Sequence, residues 1–106
     1  MAKYLFRASL NPEGIAGVLS EGGTARRTVV KNAIESLGGT VESFYFVFGD
    51  EDVVVICDLP DNETAAAFAM ETSASGRVAV STSVLVTPEE IDGARKKKSG
   101  WRAPGA

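Results

Sequence analysis

The chain has no histidine among its 106 residues and a single cysteine, Cys57. Without histidine there is no ordinary general base near neutral pH, no imidazole metal ligand, and no Ser-His or Cys-His pair. With one cysteine there is no internal disulfide. Cys57 directly follows the apolar run Val53 to Ile56 and reads as a buried structural thiol rather than a nucleophile. No stretch approaches the ~20 apolar residues that cross a bilayer, and the opening MAKYLFRASLNPEG has no signal-peptide run, so the expectation is a cytoplasmic protein with no membrane partner. Basic charge is not in excess either. Eleven Lys and Arg against fourteen Asp and Glu give a net charge of −3, which offers nucleic acid no global attraction.

What is present is the composition of an ordinary globular domain, 44% apolar and 24% charged. A chain of this length makes one domain with a modest core, so association with further copies is favoured. The pattern assigns that domain to residues 1–98 and leaves SGWRAPGA, residues 99–106, as a Gly/Pro-rich C-terminal tail.

Lys3 to Ser9 sets Tyr4, Phe6 and Ala8 against Lys3, Leu5 and Arg7, a period of two that predicts a strand. Asn11-Pro12 then supplies an N-cap and a proline at the first helical position. The helix that follows carries Ile15, Val18 and Leu19, meets Gly22-Gly23, and resumes at Thr24 with Val29, Val30, Ala33, Ile34 and Leu37 before stopping at Gly38-Gly39. The sequence leaves open whether the glycine pair bends or divides it. Thr40 to Phe48 and Asp52 to Leu59 form a predicted hairpin around Gly49-Asp50-Glu51. Asp61 or Asn62 caps a helix from Glu63 to about Thr72, Arg77 to Val86 alternates as a fourth strand, and Thr87-Pro88-Glu89-Glu90 opens a short C-terminal helix running to about Lys97.

The order βαββαβ predicts an α+β ferredoxin-like plait, a four-stranded antiparallel sheet with helices on one face. Strand two is apolar on both sides, with Val41, Tyr45 and Val47 on one and Phe44, Phe46 and Phe48 on the other, and strand three is an unbroken Val53-Val54-Val55-Ile56-Cys57. A sheet face open to water alternates with polar residues. The helix-free face is therefore expected to meet a second subunit. About 800 Å2 of protomer surface, more than half of it apolar, at ~25 cal/mol per Å2 gives a gross gain of order 10 kcal/mol before association costs.

EGGTARR (Glu21 to Arg27), ESLGGTVESFYFVFGDEDVVVICDLPDN (Glu35 to Asn62), SASG (Ser73 to Gly76) and LVTPEEI (Leu85 to Ile91) together resemble the GYD-domain proteins, small bacterial and archaeal proteins of largely uncharacterised function. The resemblance covers nearly the whole chain and implies the dimeric α+β-barrel type of ferredoxin-like fold. The family's Gly-Asp-Tyr-Asp pattern falls on Gly49-Asp50-Glu51-Asp52, with Glu51 where the family has tyrosine, so the resemblance carries no tyrosine chemistry to this turn.

Three groups of residues invite a functional reading. The carboxylates Asp50, Glu51 and Asp52 could supply oxygens to Mg2+ or Ca2+; a structural hairpin in which they satisfy turn amides is the favoured reading, and no metal is expected. In EGGTARR, Gly22, Gly23 and Thr24 precede Arg26 and Arg27 at a helix start, where the dipole disfavours cations by ~0.3 to 1 kcal/mol. An anionic ligand or a partner subunit's carboxylate would remove that penalty, and so would a continuous helix with the arginines in mid-helix. Arg7, Ser9, Tyr45, Ser81 and Ser83 point to the helix-free face, either as interface hydrogen bonders or as the lining of a small pocket. The basic run Arg95 to Lys98 suits a helix C-terminus and does not argue for nucleic acid. Trp101, alone in its tail, reads as a docking residue.

The resulting expectation is a homo-oligomeric protein binding a small anionic or aromatic metabolite, with Gly22, Gly23, Thr24, Arg26, Arg27, Arg7 and Tyr45 as candidate ligand-binding residues and no cofactor. The alternatives are a cofactor-free oxygenase or isomerase of the same barrel type and a purely structural assembly module. No catalytic residue is assigned.

Overall fold

Tyr4 and Phe6 of β1 (Ala2–Leu10) and Val53, Val55, Cys57 and Leu59 of β3 (Val53–Leu59) are buried, while the residues between them on each strand are only half-buried. One sheet face is thus the core face. In the computed structural model, which describes residues 1–106, the sheet is completed by β2 (Thr40–Phe46) and β4 (Val78–Leu85) in the order β2-β3-β1-β4, every neighbour antiparallel. This is the ferredoxin-like plait. Helices α1 (Pro12–Glu21), α2 (Gly23–Ser36) and α3 (Asn62–Ala74) follow β1 and β3, and Ile34, Ala65 and Phe68 fasten α2 and α3 to the core face.

The helix starts follow their capping residues. Asn11 Oδ1 accepts the Gly14 N–H at 2.8 Å, Asp61 accepts from the Thr64 N–H at 2.9 Å, and Thr87 and Glu90 form a reciprocal capping box at α4 (Pro88–Ala94). Asp61, not Asn62, is the cap of α3. Asn62 instead accepts the buried Tyr4 hydroxyl at 2.7 Å, tying α3 to the centre of the sheet. At the other end of the α2–β2 connection, Gly39 lies so close to β3 that a Cβ would stand 2.2 Å from the Asp58 carbonyl oxygen.

Two local expectations are corrected. The register of β2 against β3 shifts between Val41 and Ser43, a bulge in which Glu42 is the extra residue. Val41 therefore shares the helix side with Phe44 instead of standing with Tyr45. Glu42 is turned toward Lys3, whose Nζ donates to Glu42 Oε1 at 2.9 Å and to Asp58 Oδ2 at 3.2 Å. These two bonds, Glu42 first, raise the Lys3 pKa above its ordinary value. The last helix ends at Ala94 rather than near Lys97; turns and irregular backbone follow.

The register places Leu5, Arg7, Val54, Ile56, Ser81, Ser83, Leu85 and Tyr45 on the face away from the helices. No element of the chain covers that face, and only ten of the 106 residues are buried, so much of the apolar surface that the strands carry is unused. No helix is long and apolar enough to cross a membrane.

Candidate functional site

The glycine pair divides the first helical segment in two. Gly22 adopts φ of 88°, a conformation that side chains disfavour, and its N–H closes α1 by donating to Val18 O at 2.7 Å. The chain re-enters a helix at once, so Gly22, and not Thr24, is the N-cap of α2, and it provides no side-chain acceptor. Gly23 is close-packed rather than conformationally unusual. A Cβ there would lie 3.0 Å from Cε2 of Phe46, so α2 begins in contact with the end of β2.

From this junction Arg26 and Arg27 diverge, because adjacent helical residues stand about 100° apart. Arg26 turns inward and its side chain is 35% exposed; its Nη1 lies 3.4 Å from Glu21 Oε1, so a carboxylate of the same chain offsets the cation in the first turn of α2. Arg27 instead borders an outer groove with Lys31, Glu42, Ser43 and Tyr45. Arg7 is elsewhere again, on the helix-free face, with Nη2 3.5 Å from Ser83 Oγ and Nε 3.7 Å from Glu51 Oε1. The seven candidate residues thus occupy three places: Gly22, Gly23, Thr24 and Arg26 at the helix junction, Arg27 and Tyr45 at the groove, and Arg7 on the open sheet face.

The feature that sequence reasoning missed lies between the helices and the core face. A cavity of about 250 Å3 is bounded by Phe6, Ala8, Val53, Val55 and Val80 of the sheet and by Val18, Val30 and Phe68 of the helices. Arg26 is the one charged residue in its wall; Thr72 and Ser75 add hydroxyls. Both hydroxyls already donate to backbone, Thr72 to Phe68 O at 2.9 Å and Ser75 to Thr72 O at 2.7 Å; Ser75 Oγ also accepts the Arg77 N–H at 3.2 Å, so Thr72 has the greater capacity left to accept. No carboxylate, phenol, thiol or amine reaches the cavity. Cys57 stays within the core, where burial pushes its thiol up to about 11.

The acidic hairpin resolves into separate tasks. Asp52 Oδ2 accepts the Leu10 N–H at 2.7 Å, Glu51 faces Arg7, and Asp50 is exposed. No three carboxylate, thiol or imidazole groups of the chain gather as a metal site would require.

The fold is an antiparallel plait with one helix-free face, on which Leu5, Val54, Ile56 and Leu85 stand among polar residues such as Arg7, Ser81 and Ser83, and with a cavity under its helices. The GYD domain model matches residues 4–94, and the chain belongs to the GYD domain family. No curated protein and no solved structure matches it.

Proposed function

We propose that this GYD-domain protein is a homo-oligomeric small-molecule carrier or sensor, paired through its helix-free sheet face and holding a mostly apolar, acid-bearing molecule in the cavity beneath its helices. The observation that carries the reading is the apolar cavity of about 250 Å3 with Arg26 as the single charge in its wall. Cavities of about 150 Å3 accept a benzene-sized molecule, so the space suits a ligand of on the order of ten non-hydrogen atoms. Its apolar body would be held by Phe6, Val30, Phe68 and Val80. Its carboxylate or sulfonate would take Arg26 from Glu21, exchanging one anion for another, so that the arginine is never left without a counter-charge.

Binding is favoured over turnover by the chemistry of the wall. Proton transfer needs a titratable group within hydrogen-bond reach of the substrate, and arginine, always protonated, is the only ionisable side chain there. The oligomeric part rests on Leu5, Val54, Ile56 and Leu85, four apolar side chains that share the uncovered face.

Calorimetric titration with 1-naphthoate and with neutral naphthalene tests the site. Both should bind, naphthoate more tightly. Arg26→Ala should weaken naphthoate about tenfold to a hundredfold, the span of a charge-assisted hydrogen bond, while leaving naphthalene unchanged. Val80→Phe should abolish both by filling the space. Equal naphthoate affinity in the native protein and in Val80→Phe would refute the site.

A further inference from the structure

Every residue from Val86 to Ala106 is exposed. The radius of gyration is 17.0 Å, against ~13 Å for a compact domain of this length. The longest dimension is 57 Å, nearly twice the ~30 Å that a nine-residue strand such as β1 spans. This segment is therefore an arm that projects from the body. It is a built arm, opened by the Thr87–Glu90 capping box, and it presents Ile91 and the chain's single tryptophan, Trp101, which is 76% exposed.

The outer part of the arm also divides the charge, since the arm's own carboxylates, Glu89, Glu90 and Asp92, all precede Ala94. Of the eleven basic residues, Arg95, Lys96, Lys97, Lys98 and Arg102 follow Ala94, and none of the fourteen acidic residues does. Residues 1–94 thus carry −8 and residues 95–106 carry +5. None of those five cations is in an ion pair. A complementary surface that joins carboxylates to an exposed aromatic is the tip between β2 and β3, where Phe48 is wholly exposed beside Asp50, whose carboxylate has no partner, and Glu51, which meets only Arg7 at 3.7 Å. Tip and arm lie at opposite ends of the sheet, since Lys3 pairs with Leu85 and Ala8 with Val53. The arm thus leaves the body at the end remote from its own tip.

We infer that the arm of one copy docks on the Phe48–Glu51 tip of a second copy, with Trp101 against Phe48 and the Arg95–Lys98 run facing Asp50 and Glu51. A two-fold axis makes the exchange reciprocal and closes it. The aromatic contact supplies the buried area, and the charges set partner and register. This goes beyond the ligand site and holds whether or not the cavity is occupied.

Two measurements on the full-length protein test it. Labelled (15N) and unlabelled chains, refolded together and treated with a carbodiimide, should yield peptides joining Lys96, Lys97 or Lys98 of one isotope to Asp50 or Glu51 of the other. Absence of such links, or isotopically pure links alone, overturns the inference. Trp101, the sole indole, should be several-fold less quenched by acrylamide in the native protein than in Asp50→Lys/Glu51→Lys or in Lys96→Glu/Lys97→Glu/Lys98→Glu. Combining both sets of reversals should restore the protection, which misfolding could not do. Native-protein quenching equal to that of free indole, or no restoration in the combined variant, is the contrary result.

Discussion

The Asp52 carboxylate accepts the Leu10 N–H at 2.7 Å while the Asp52 N–H donates to Ala8 O at 2.8 Å, so one residue continues the β1–β3 ladder with its side chain past the last backbone pair. The Asp52 carbonyl also accepts from the Val47 N–H at 2.8 Å and closes the turn. This aspartate is a strand fastener. Asp52→Asn keeps an acceptor oxygen and should retain the fold with a small loss of stability. Asp52→Ala strands the Leu10 amide and should cost about 1–3 kcal/mol in urea unfolding. Neither variant should change the response of the melting temperature to Mg2+ or Ca2+; a calcium-dependent stabilisation abolished by Asp52→Asn would contradict the assignment.

Cys57 titrates far from neutrality because burial disfavours its thiolate, and its pKa stands at about 11 against an ordinary 9.0. The native protein should resist iodoacetamide at pH 8 and react fully once unfolded in urea. The unfolded state releases this proton first, so this contribution to stability should fall as pH rises from about 9 toward 11. Cys57→Ala should lessen that alkaline loss. Rapid labelling of folded protein would show that the thiol is not enclosed.

At the start of α3 the sign is opposite. The Thr64 hydroxyl, at 2.6 Å, and then the Thr64 N–H hold the Asp61 carboxyl below its ordinary 3.8. Its contribution is present above that ordinary value and lost as pH falls through the lowered one. Asp61→Ala should lower the melting temperature by a few degrees at pH 7, and the difference from the native protein should shrink on acidification below about pH 4. A difference that does not change with pH would mean that the cap does not depend on charge.

Gly39 is a packing requirement. A methyl there would meet the Asp58 carbonyl oxygen, Leu59 and Ile34 at once, two of the three being core side chains. Gly39→Ala should destabilise by about 3 kcal/mol or more in denaturant unfolding. At Gly49, where the nearest atom is 3.7 Å away and φ is not positive, alanine should be tolerated.

Periodicity, β-branched runs and capping made the plait readable in advance: Tyr4, Phe6 and Ala8 have a strand period, the unbroken Val53–Cys57 run follows a turn, and Asn11, Asp61 or Asn62, and Thr87 offer helix caps. The bulge at Glu42 was not readable: an extra residue in β2 is visible only against its partner strand, and it moves Val41 to the other face. The division at Gly22-Gly23 turned on whether Gly22 would leave the helical conformation, which a glycine permits but does not require. EGGTARR was singled out as one anion-binding unit, but its two arginines turn apart, one to the cavity and one to the groove. The cavity left no mark in the sequence at all. It is the space that Ala8, Val30, Val53 and Val80 do not fill, and any larger residue in its place would have kept the same pattern.

The sheet face can be tested separately from the ligand site. Ile56→Lys puts a charge at the centre of the uncovered face without touching the core side of β3. It should shift sedimentation toward a single chain while preserving the far-ultraviolet circular dichroism. An unchanged oligomer would exclude this face as the interface.

A native mass spectrum of the protein as purified weighs the assembly and anything it carries, and so reads the sheet-face pairing and the occupied cavity together. The spectrum should show a multiple of the 11.1 kDa chain with an added small mass that is lost on denaturation and absent from Val80→Phe. A single-chain mass with no adduct, at micromolar concentration, would contradict both.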